Sequence, residues 1–100
     1  MKSIDDYVSG IRQAIDANSL GGKTVRMDID DLGSIHIDGT TVSTDKIAAD
    51  CVLSAAHDTY DKLYTGTLDP AIAFGTGDLK LVGEMSVALR MPAIFAKANS

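Results

Sequence analysis

From residue 4 onward the apolar side chains recur at helical intervals. Ile4, Tyr7, Val8, Ile11, Ala14 and Ile15 fall on one helical face, while Asp5, Asp6, Gln13 and Asp16 fall elsewhere. Ser3 is placed to cap this helix, and acids in its first turn suit the helix dipole. Residues 18–22 end it. The period then drops to alternation. Val25, Met27 and Ile29 interleave with Arg26, Asp28 and Asp30, and after a turn at Asp31, Leu32 and Gly33, Ile35 and Ile37 interleave with Ser34, His36 and Asp38. Such a pattern predicts a hairpin with one buried and one wet face. Gly39 turns the chain again, residues 40–44 form a short strand, and residues 49–55 form another. In that strand Cys51, Leu53 and Ala55 share one face, with Asp50, Val52 and Ser54 on the other.

Helical spacing returns at Tyr60, Leu63 and Tyr64, and Gly66 stops that helix. Asp69 and Pro70 open a short helix carrying Ile72, Ala73 and Phe74, which Gly75 and Gly77 finish. Residues 79–82 form a strand closed by Gly83, and residues 84–98 form a final helix. That helix is apolar on two sides. Met85, Ala88, Leu89, Phe95 and Ala96 make one face, and Val87, Met91, Ile94 and Ala98 make a second. A helix of this kind must be covered on both sides, one by the core and the second by a bound lipid or a partner subunit. Pro92 is expected to kink it or to break the backbone bond to Ala88.

With 100 residues the chain is expected to form one domain, 1–100, with one modest core. It has no tryptophan, so that core is aliphatic and methionine-rich. A formal net charge of −5, with scattered basic residues, argues against nucleic acid and against tight docking to anionic membranes. Cys51 is the sole cysteine, the first ten residues carry acids where a signal peptide is apolar, and no run is long enough for a membrane span or stable anchor. The expectation is a soluble cytoplasmic protein.

The candidate chemistries mostly fail. Residues 65–85 contain Gly75, Gly77 and Gly83, but a dinucleotide fingerprint needs a small residue where Lys80 stands and a strand before the glycines, not after them. A Walker loop lacks its Gly-Lys-Ser/Thr. Asp28, Asp30 and Asp31 suggest a calcium loop, but Leu32 and Gly39 occupy ligand positions. His36, on the polar strand face, and His57, near a helix start, are expected to be exposed, and Cys51 to be a buried inert thiol. Neither a catalytic set nor a metal site nor a cofactor site can be assembled.

Residues 50–85 resemble the type-2 sterol carrier protein family. The matching positions are Asp50, Gly66, Leu68, Asp69, Pro70, Ala73, Phe74, Gly77, Leu79, Lys80 and Gly83, at family spacing without a gap. The order of elements fits along the whole chain. Asp78 stands where the family often has lysine, and Ala56 where a serine or threonine often caps. The resemblance implies an α+β fold: a five-stranded mixed sheet with helices packed on one face, enclosing an apolar tunnel for fatty acids, fatty acyl-CoA or sterols. It implies a non-enzymatic carrier. The expected lining is Leu68, Ile72, Phe74, Leu79, Leu81, Met85, Leu89 and Met91. The alternative is an interaction module in which the second apolar face of the C-terminal helix meets a protein partner or a second copy. A small lipid-directed enzyme is disfavoured, because no nucleophile and base are visible.

Overall fold

The computed structural model describes residues 2–99. Helix α1 (Ile4–Ala14) is capped by Ser3, whose hydroxyl accepts from the Asp6 N–H while Asp6 returns the bond to the Ser3 N–H. Strands β1 (Thr24–Ile29), β2 (Gly33–Asp38), β3 (Thr41–Ser43) and β4 (Cys51–Ala55) follow. Then come helices α2 (His57–Thr65) and α3 (Pro70–Thr76), strand β5 (Leu79–Gly83), and helices α4 (Met85–Ala88) and α5 (Met91–Ala98). The sheet is five-stranded, in the order β3-β2-β1-β4-β5. The β1–β4 pair is parallel and the other neighbours are antiparallel.

The register aligns the apolar rows. Val25 lies between Ile37 and Cys51, and Met27 between Ile35 and Leu53. All six are buried, and they form the floor of the core. Helix α1 packs over β2 and β3, α4 over β1 and β4, and α3 against β5, while α5 rests on α1 and α2. Tyr7, Ile11, Tyr60, Val87, Met91 and Phe95 close the core from the helical side. Each such fully buried large side chain contributes roughly 1.5–3 kcal/mol relative to exposure.

Several expectations are corrected. Residues 84–98 are not one helix. The chain breaks at Leu89 and Arg90, and Pro92 sits in the first turn of α5, where its missing N–H costs nothing. Gly75 does not end α3. It lies inside the helix, and Gly77, at φ 84°, is the stop. The third and fourth strands are shorter than expected, Thr41–Ser43 and Cys51–Ala55.

His36 is buried, not exposed. Strand order explains this: to reach β4 from β3, residues 44–50 must cross β2 and β1 on the polar face. His36 Nε2 lies 3.3 Å from the Ala48 carbonyl oxygen, and Arg26 Nη1 donates to the Ile47 carbonyl at 3.2 Å. His57 is half-buried against Tyr7, with Nε2 2.7 Å from the Lys2 carbonyl oxygen. Cys51 is buried, and that burial pushes its thiol pKa up.

Candidate functional site

The site forms where one strand carries a helix at each end. Helix α3 starts at Asp69, whose Oδ1 accepts from the Ala71 N–H at 2.8 Å, with Pro70 in its first turn. Gly77 then releases the chain into β5. At the far end Gly83, at φ 108°, brings its backbone against the Asp50 carbonyl oxygen, which accepts from the Glu84 N–H at 3.0 Å. A side chain at position 83 would overlap that oxygen. Glu84 then starts α4.

Leu79 and Leu81 pair with Ala55 and Leu53 and so point to the helical side of the sheet. They floor a cleft of about 140 Å³ whose walls are Pro70, Ala71 and Phe74 from α3 and Met85, Ala88 and Leu89 from α4 and its end. Every one of these side chains is apolar. Phe74 and Met85 are each 45% exposed and Leu89 is 71% exposed, although they are large hydrophobes. A second recess of about 300 Å³ shares Pro70 with the cleft as a wall and is lined by Leu68, Tyr64 and Pro92 among others.

Phe74, Leu79, Leu81, Met85 and Leu89 therefore come together, and Leu68 lines the adjoining recess. Two of the expected lining residues lie elsewhere. Met91 is 1% exposed and belongs to the core, and Ile72 is 60% exposed but lines neither recess. Helical phase accounts for both. Pro70 and Ala71 stand four and three positions before Phe74 and share its face, whereas Ile72 is two positions away and faces elsewhere. The same spacing groups Met85, Ala88 and Leu89 and sets Met91 apart, with Val87 and Ile94, toward the core. Pro70, Ala71 and Ala88 were legible from that phase.

The cleft offers no nucleophile, acid or base among its lining residues, and the Met85 thioether is its one side-chain heteroatom. It can exclude water and surround a hydrocarbon chain, and nothing in it moves a proton. The charges at its margins are engaged: Glu84 pairs with Lys23 at 3.4 Å, and Asp78 accepts from the Thr76 hydroxyl at 3.0 Å. Nor does Cys51 reach the cleft, as it is buried in the sheet. Among the described residues, no helix is long and apolar enough to cross a membrane.

Known proteins agree with this architecture. Residues 12–96 match the model of the SCP-2 sterol transfer family. Sterol carrier protein 2 from Yarrowia lipolytica, in its apo form, superposes with a TM-score of 0.79 at 19% identity, over 94% of this chain and 90% of that one. Palmitated sterol carrier protein 2-like 2 from Aedes aegypti superposes with a TM-score of 0.71 at 14% identity, over 94% of this chain and 95% of that one. In sequence, 52 residues are 36% identical to hydroxysteroid dehydrogenase-like protein 2 of Mus musculus, covering 52% of this chain. The match covers only 11% of that mouse protein and 12% of its Bos taurus counterpart. With its sheet order, its helices and a family match from within α1 almost to the end of α5, the chain belongs to the SCP-2 sterol transfer family.

Proposed function

We propose that this chain is a non-enzymatic binding and carrier domain for a long-chain lipid, acting as one unit in the cytoplasm. The observation that carries this reading is the wholly apolar cleft between α3, β5 and α4, rimmed by half-exposed Phe74, Met85 and Leu89. Burying an alkyl chain yields ~0.8 kcal/mol per methylene, so a sixteen-carbon chain offers roughly 10 kcal/mol gross. Lost ligand freedom removes several of these. Micromolar affinity is then reachable without any specific polar contact. The palmitated form of the Aedes aegypti neighbour supports an acyl chain as one ligand class.

The volume of about 140 Å³ is below the roughly 300–1,000 Å³ of ordinary small-molecule sites. A long chain therefore enters as α3 and α4, of 7 and 4 residues, part over β5. Phe74, Leu79, Leu81, Met85 and Leu89 are the proposed contacts, with Leu68 reached through the recess at Pro70. The match to a segment of hydroxysteroid dehydrogenase-like proteins supports an accessory role beside an enzyme as one setting for such a domain.

Native mass spectrometry with solvent extraction tests the reading. A co-purifying acyl lipid near one per chain is expected, and Phe74→Asp is expected to cut fluorescent fatty acid uptake more than tenfold while the circular dichroism spectrum is kept. An empty protein that also refuses the fatty acid would overturn it. The second reading, a protein-interaction module, loses the face expected to carry it, because Val87, Met91 and Ile94 are buried in the core. Exposed Leu89 and Ile72 are what remain to meet a partner, and this reading predicts such an empty protein with a dimer or complex in light scattering.

A further inference from the structure

A polar groove of about 410 Å³ runs beside the apolar cleft, between the end of α1 with its following loop and α5. Leu89 lines both. The groove holds Arg90 and Lys97, two of the few basic side chains of a chain with net charge −5. The break between α4 and α5 creates this arrangement, since it places adjacent Leu89 and Arg90 on the two sides of one corner.

Arg90 is pinned but not saturated. Its Nη1 donates to the carbonyl oxygens of Asn18 and Ser19 at 3.5 and 3.4 Å, both long. A guanidinium has five donors in a planar fork, so Nε and Nη2 retain capacity for an anion. Asp16 also lines the groove and keeps its negative charge there; its Oδ1 accepts from the Asn18 N–H at 2.8 Å, which turns that oxygen toward the backbone of the loop after α1. The other end of the cleft is different. Asp69 and Asp78 flank α3, and Lys80 alternates away from Leu79 and Leu81 to the opposite face of β5.

Resting on the carrier reading, we infer that the groove takes the anionic head group of a single-chain amphiphile, a carboxylate or a phosphate, whose tail crosses Leu89 into the cleft. The charges orient the lipid, with its tail toward Pro70 and its head on Arg90. Arg90 is thus a residue that selects anionic over neutral amphiphiles.

Calorimetric titration of the full chain with dodecanoate, dodecyl phosphate and dodecan-1-ol tests this in the wild type, Arg90→Gln and Arg90→Lys. Arg90→Gln is expected to weaken one or both anions roughly fivefold, as for a partly exposed charge contact, and to leave the alcohol unchanged. Arg90→Lys is expected to retain most of the preference. Which anion responds identifies the head group. Equal losses for anion and alcohol, or none for any ligand, would overturn the inference and leave the carrier reading standing. A wild-type chain that binds none of the three would overturn both.

Discussion

The centre of the sheet and its β5 edge hold similar side chains under opposite conditions. Met27 on β1 is 0% exposed, flanked by strands on both sides and roofed by helices. Leu81 on β5 is only partly buried, and Leu89, at the end of α4, is 71% exposed. Both regions are rich in Val, Leu, Ile and Met. The centre has a neighbour on every side, whereas the edge is served by two short helices that do not meet over it. Apolar surface that is left open beside a closed core is what a hydrocarbon ligand can use.

Substitutions that remove similar side chains from the two regions break or sharpen this contrast most directly. Met27→Ala is expected to lower the unfolding free energy by about 3 kcal/mol in urea titration. Leu89→Ala is expected to change it by less than about 0.5 kcal/mol, yet to weaken fatty acid uptake. If Leu89→Ala destabilised as much as Met27→Ala, the exposed end of α4 would count as core and the contrast would collapse.

The junction between the regions comes next. Gly83→Ala forces a side chain into a φ of 108° and against the Asp50 carbonyl oxygen. A loss of about 2 kcal/mol is expected, with α4 loosened. An unchanged melting temperature would show that the turn tolerates a side chain.

A smaller effect probes the polar face under the crossing loop. Burial raises the Asp28 carboxyl pKa, but hydrogen bonds from Arg26 Nε and the Ser34 hydroxyl, each 2.9 Å, outweigh it and hold the group below its ordinary 3.8. A carboxyl lowered on folding stabilises above the unfolded pKa, and that stabilisation is lost as pH falls through the folded value. Asp28→Asn should therefore cost about 1 kcal/mol at pH 7, with the gap to wild type closing below pH 3.8. A gap that ignored pH would assign the effect to packing. The smallest change is a gain. Ala56 caps α2 without a side-chain bond, so Ala56→Ser should add roughly 0.5–1 kcal/mol in thermal melts. No gain would mean that the α2 end is already satisfied by other groups.

Much of this was legible along the chain. Alternation named the inward residues of β1, β2 and β4, and the caps Ser3, Asp69, Gly66 and Gly77 marked helix ends where the structure has them. The family resemblance rested on residues 50–85, and the family match extends it upstream to residue 12. Two of the residues that carried it have visible physical jobs. Asp50 ties β4 to β1 by accepting from the Thr24 N–H at 2.9 Å, and Gly83 lets the backbone turn against Asp50. Lining residues chosen by hydrophobicity without helical phase included Ile72 and Met91, which lie outside the cleft.

What the sequence by itself determined were the local rules: the period of each segment, the face its apolar residues share, and where Gly and Pro stop it. These depend on neighbours a few positions away. Only the tertiary structure decided that residues 44–50 cross the polar face and bury His36, and that β5 lies at an edge. It alone decided which apolar residues stay open. Those outcomes depend on strand order and on which helix covers which strand, and these are settled by contacts between residues far apart in the chain, on which local periodicity carries no information.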